Sequence, residues 1–179
     1  MKSTTAGAPA RQRRSSATWA LAGLLAFQGL GAIGGGFAFL SDTTGSAAGL
    51  DPELLERTPF ADFLWPGLLL TLGLGLPALV LLYGVLRRPR LSMLAGLERR
   101  ARQHWSWSGS IALGLALMAW IIVQLLLIEI SPLQPLMLAV GAALAGLPLT
   151  RRVRQDLPGG SAGDHGLALA HRQRPEDAP

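Results

Sequence analysis

The chain has no cysteine. That excludes a disulfide framework, a thiolate metal site and a cysteine nucleophile. It also excludes the small four-helix membrane thiol oxidoreductases, whose chemistry resides in redox cysteines. Charge is scarce too. Only 15% of the 179 residues are Asp, Glu, Lys or Arg, where a soluble domain carries about a quarter. Histidine occurs at His104, His165 and His171 and never inside a long apolar run. A bis-histidine haem within a bilayer is thereby excluded, as is a serine–histidine pair at membrane depth. No catalytic constellation is visible, so no enzymatic activity and no cofactor are expected.

What the chain has instead is apolar residues, half of the total, and a mean hydropathy of +0.36. Four apolar stretches stand out: 19–40, 66–86, 111–130 and 133–149. A helix needs about 20 residues to cross about 30 Å of hydrocarbon, and these runs lack the alternation of a membrane β-barrel. The expected fold is therefore all-α: a four-transmembrane-helix bundle over residues 18–150. It lies between a disordered tail at 1–17 and a basic, then disordered, tail at 151–179.

Charge placement supplies the orientation. Of the 16 Lys and Arg residues, Arg57 alone lies between spans one and two, and none lies between spans three and four. The others precede span one, follow span four, or sit between spans two and three. Juxtamembrane cations of this kind face the cytoplasm, so both termini and the middle loop are expected inside a bacterial plasma membrane. The same bias accounts for the pI of 11.2 without a nucleic-acid partner, and argues against a dual-topology exporter. A cleaved signal peptide ending near Gly45-Ser46-Ala47-Ala48 is the rival reading of span one. Against it, the apolar run is longer than the 7–15 residues usual for such a segment.

The outer loop, residues 41–65, carries Asp42, Asp51, Glu53, Glu56 and Asp62. Their spacing is not that of a metal site, and solvated loop charge is the plainer account. Asp51-Pro52 and Thr58-Pro59 each place a capping side chain before a first-turn proline, which predicts a short helix over Pro52–Arg57. Phe60, Phe63 and Trp65 then form a headgroup-level anchor. Ser131-Pro132-Leu133-Gln134 reads as a capping box starting span four, and Pro77 and Pro148 are expected to kink or end their helices.

Small residues four apart allow close helix approach. Gly31 with Gly35 and Ala32 with Gly36 do this in span one; Gly141 with Ala145 and Ala142 with Gly146 do it in span four. Packing inside the bundle is the plainer use and homodimerisation the alternative. On a helical wheel, Leu91–Trp105 gathers Met93, Leu94, Leu97 and Trp105 on one half and Arg99 and Arg100 on the other, with Arg102 at the edge. That is the form of a helix lying in the membrane plane, with Arg99, Arg100 and Arg102 on anionic lipid headgroups. The rival reading makes these residues the ends of spans two and three.

The stretches TPFADFLWPG (58–67), LRRPR (86–90), WIIVQ (120–124) and SPLQP (131–135) occur in this order and spacing. In them the chain resembles a group of small bacterial four-helix integral membrane proteins to which no function is assigned. The resemblance covers about residues 20–150 and implies topology but no reaction. This chain departs from the group at Glu129, where a glycine is usual.

Two functions remain in play. One is a non-enzymatic accessory, scaffold or sensor-type subunit with a membrane-protein or homo-oligomeric partner. The other is a small carrier or lipid/hydrophobe-binding protein. For the second, Gln28, Thr71, Pro77 and Trp120 are the candidate mid-membrane features. At 1.5 Å per residue from Ser131, Gln134 lies about 5 Å in, Gln124 about 10 Å and Trp120 about 16 Å. Trp120 and Gln124 share a helix face. The expectation is an outward-opening polar pocket lined by Gln124, Gln134 and Trp120 and rimmed by Asp62 and Trp65. The rival is two glutamines that simply bond neighbouring helices.

Overall fold

The computed structural model describes residues 14–46, 49, 55, 58–89, 103–127 and 131–158. Apart from Leu55, the helix expected at Pro52–Arg57 lies outside the described residues, as do residues 91–102 of the in-plane helix, with Arg99, Arg100 and Arg102, and Glu129. So do residues 1–13 and 159–179 of the two tails.

The described chain is helical, with no strand beyond an isolated bridge between Gln103 and Pro158. Helix α1 spans Ser16–Ser41, starting three residues before the expected Trp19 because Ser15 caps it: its hydroxyl accepts the Thr18 N–H at 3.3 Å. Helix α2 spans Leu64–Arg87 and is started by Asp62, whose carboxylate accepts the Leu64 N–H at 3.1 Å. It ends at Arg88, which takes the left-handed conformation (φ 51°) and bonds its N–H to Gly84 O.

Helix α3, Trp105–Leu127, begins well before the expected Ile111, so Trp105 belongs to it and not to a separate in-plane helix. The reason is a cap that hydropathy does not register. His104 Nδ1 accepts the Ser106 N–H at 3.3 Å, which leaves Nε2 as the protonated nitrogen, donating to Pro89 O at 3.1 Å. Trp105 Nε1 donates to the same carbonyl at 3.1 Å. Helix α4 spans Leu133–Leu149 and tightens into a 3₁₀ turn around Pro148. A short helix α5, Arg151–Asp156, follows directly. Helical structure thus continues to Asp156, past the boundary at 150 expected from composition.

Among the described residues, three helices (α1, α2 and α3) are long and apolar enough to cross a membrane, and α4 is shorter. α1 runs along α2, α3 packs on α2 and α4, and α4 returns to α1. The shared interior holds Leu21, Leu25, Ala78, Leu81, Val85, Leu113, Leu117, Ile121, Val140 and Leu144. Outward positions are equally apolar: Leu30, Phe37, Leu72 and Leu126 are all well exposed. A helix greasy on every face suits a lipid solvent.

Pro77 does not end α2, which runs on to Arg87. Proline lacks the N–H for the carbonyl four residues back, and its ring collides with that carbonyl. Here the preceding stretch Leu69–Gly75 widens into π-helical turns, with Leu76 N–H reaching Thr71 O five residues back. α1 also packs closely on this part of α2. A Cβ on Gly36 would stand 2.8 Å from Gly67 O and collide with Thr71 Oγ1. Only glycine permits that contact. A Cβ on Gly35 would stand 3.2 Å from a Leu70 methyl, whereas one on Gly31 would meet open space. The tight crossing therefore lies one residue further along than Gly31/Gly35, on the Ala32/Gly36 pair. In α4, Gly141 and Ala145 pack inside the bundle, against Gly114 of α3. A Cβ on Gly114 would stand 2.6 Å from Gly141 O and from Ala145 N.

Candidate functional site

Two constellations lie at opposite ends of the bundle. The first is a cavity of about 140 Å³ between the end of α1, the start of α2 and the last turns of α3. It is lined by Phe39 of α1, by Leu55, Thr58, Phe60 and Phe63 of the connecting loop, by Pro66, and by Trp120, Val123, Gln124 and Leu127 of α3. Trp120 and Gln124 meet here as expected from their four-residue spacing. The other three residues assigned to this pocket stand elsewhere. Gln134 is buried, and its Oε1 accepts the Ser131 N–H at 3.0 Å, so the capping role has claimed the amide. Asp62 is engaged at the start of α2. Trp65 is 59% exposed, facing away from the bundle.

The pocket is accordingly apolar where a polar one was expected. Its walls include four aromatic rings, three of them phenylalanines drawn from the loop and α1. Loop geometry explains why they converge. Asp42 folds the chain back by accepting from Thr44 N–H (3.0 Å), from Thr44 Oγ1 (2.6 Å) and from Ser46 Oγ. Phe63 N–H donates to Thr43 O at 2.9 Å. Gly45, at φ 87°, lies so close beneath the Phe63 ring that a Cβ would fall 2.5 Å from it. Phe63 then sits 5.2 Å from Phe39, ring centre to ring centre. The sequence signal for these residues was the aromatic run after Thr58, which hydropathy assigns to headgroups.

Polar groups in the pocket are few. Thr58 Oγ is already committed, donating to Leu55 O at 2.9 Å and accepting from Phe60 N–H at 3.3 Å. Gln124 is half-buried, and its amide has no hydrogen-bond partner among the described residues. Deeper in the bundle, Gln28 Oε1 and Thr71 Oγ1 are shielded and likewise without a partner. Among the described residues, no group of three or more His, Asp or Glu side chains comes together.

The second constellation joins the two ends of the described chain. One oxygen of Asp156 accepts from Ser15 N–H (2.8 Å), Ser15 Oγ (2.6 Å) and Thr18 Oγ1 (2.6 Å). Desolvation works to raise the Asp156 pKa, but the hydroxyls of Ser15 and Thr18, the Ser15 N–H and the nearby Arg88 charge outweigh it. The carboxyl is therefore held below its ordinary range. Arg14 donates to Leu86 O and lies over the Trp19 ring. Burial and the repulsion of Arg88 lower its pKa, with Asp156 opposing.

No family model, curated relative or solved structure matches this chain.

Proposed function

We propose that this chain is an integral protein of the bacterial plasma membrane, crossing four times with both termini in the cytoplasm, and that it acts by binding rather than catalysis. Its proposed role is that of a sensor- or accessory-type subunit holding a hydrophobic ligand within the outer half of the bilayer. The observation carrying this reading is the aromatic-walled pocket in which Gln124 offers an unengaged amide. An apolar ligand gains dispersion contacts along this lining, and one polar atom on it could hydrogen-bond the half-buried Gln124 amide.

The four-crossing topology draws support from the terminal knot. Asp156, after α4, bonds Ser15, before α1, at 2.6 Å. Two segments in hydrogen-bond contact share one side of a membrane, so an even number of crossings separates them. The cation distribution supports the cytoplasm as that side.

The test is co-purification of the full chain from mild detergent, followed by mass spectrometry of extracted small molecules. A stoichiometric hydrophobic compound, lost from a Val123→Trp variant that fills the pocket, is the expected result. A stoichiometric protein partner with no bound compound in either variant would instead favour a scaffold.

A further inference from the structure

We infer that the pocket's ligand is a membrane-soluble six-membered carbon ring bearing an oxygen substituent, a phenol or a quinone, and not an alkyl chain; the inference rests on the binding role proposed above. Three observations converge on it. The first is size: a cavity of about 150 Å³ lined by apolar side chains accommodates a benzene ring, and this one measures about 140 Å³. The second is the walls. Phe39, Phe60, Phe63 and Trp120 all line it, in a chain with only five Phe, five Trp and one Tyr. Flat aromatic faces gain from stacked or edge-on contact with another ring, beyond the area they cover. A flexible chain gains no such term and loses rotamer freedom on binding.

The third observation is the polar atom. With the Thr58 hydroxyl occupied, the lining side chains that can still hydrogen-bond a ligand are Trp120, through its indole N–H, and Gln124, which alone of the two can also accept. An amide donates through its NH₂ and accepts through its carbonyl, so it can hold a quinone oxygen as donor or a phenol as acceptor. One such group fixes one oxygen substituent of the ring. Val123, on the pocket margin, is 45% exposed on the outward face of α3. A tail on the ring can leave there into the surrounding lipid, so the ligand need not pass through water.

The experiment uses the full chain in lipid nanodiscs and four probes with the same ten-carbon tail. These are a benzoquinone, its hydroquinone, a phenyl ring without oxygen, and a tail ending in a hydroxyl with no ring. Binding is read by equilibrium retention against empty nanodiscs. The expected order places the quinone or the hydroquinone tightest, the bare ring weaker and the ringless alcohol weakest. Gln124→Leu should weaken the oxygen-bearing rings by about tenfold, the loss of one hydrogen bond, and leave the bare ring unchanged. Its folding is checked independently, and the bare ring's unaltered binding serves as an internal control. Val123→Trp should abolish all specific retention. An alcohol that binds as tightly as the rings, with retention lost in Val123→Trp, overturns the ring assignment and leaves the hydrophobe-binding role standing. No saturable retention of any probe overturns both.

Discussion

Two residues carry opposite lessons about polar groups in this chain. Asp156 accepts three hydrogen bonds and ties α5 to the start of α1. Its carboxyl sits below the ordinary range, so its contribution is present above the unfolded value of about 4 and is lost as pH falls through the lower folded value. The knot should thus hold unchanged from pH 8 to pH 5. Asp156→Asn should loosen it at every pH in that window, by about 2 kcal/mol, because it also leaves Arg14 and Arg88 unbalanced. Hydrogen exchange at residues 15–18 reads this directly; protection that is equal in the variant would contradict the assignment. Gln28 is the converse case, a shielded carbonyl without a partner. Replacing such a group by an apolar one of similar shape removes a desolvation cost. Gln28→Leu should be neutral or stabilise by up to about 1 kcal/mol in detergent unfolding. A marked loss of stability would mean that Gln28 has a partner in the membrane, as a carrier path would require.

At the level of elements, hydropathy placed the four apolar segments because long uncharged runs have few alternatives. It misplaced their ends because ends are set by single hydrogen bonds. His104, Ser15 and Asp62 each start a helix through one side-chain acceptor, and none of these bonds leaves a hydrophobic signature. Gln134 shows the same limit: the box motif and the pocket both claimed it, and only geometry shows that its amide reaches back to Ser131. The Trp120/Gln124 pair was legible because four-residue spacing on a helix guarantees a shared face. The loop aromatics that complete the pocket were not, since their placement depends on the Asp42 turn and on Gly45. Small-residue spacing likewise indicated that α1 would cross closely, while the contact itself selects Gly36. Gly36→Ala should destabilise by about 1–3 kcal/mol, because its Cβ meets the backbone of α2. Gly31→Ala should change stability by no more than about 0.5 kcal/mol, since its Cβ meets nothing. A shift of Gly31→Ala from dimer to monomer on size-exclusion chromatography would instead make that face an interface between copies.

Across the whole molecule, α4 is the element on which the topology depends. Its 17 residues span about 25 Å, a little less than the usual hydrocarbon thickness of about 30 Å. Local thinning of the bilayer accommodates such a shortfall at modest cost. Polar fastenings mark both of its ends. The Ser131–Gln134 bond closes one. At the other, Trp107 Nε1 donates to Pro148 O at 2.6 Å, and Arg154 lies over the same indole, a combination suited to the headgroup boundary. The proposed topology requires α4 to cross, since three crossings would put Asp156 and Ser15, which bond in this structure, on opposite sides. The cysteine-free chain permits a direct test, because a single introduced thiol is the only one present. Thr44, Ser16 and Thr150 are all exposed. In intact cells, a membrane-impermeant maleimide should label Thr44→Cys but neither Ser16→Cys nor Thr150→Cys, both of which should react once the membrane is opened. Labelling of Thr150→Cys in intact cells while Ser16→Cys stays protected would put an odd number of crossings between them. That outcome would remove both the four-span topology and the terminal knot, whose donors and acceptor must share one compartment to meet.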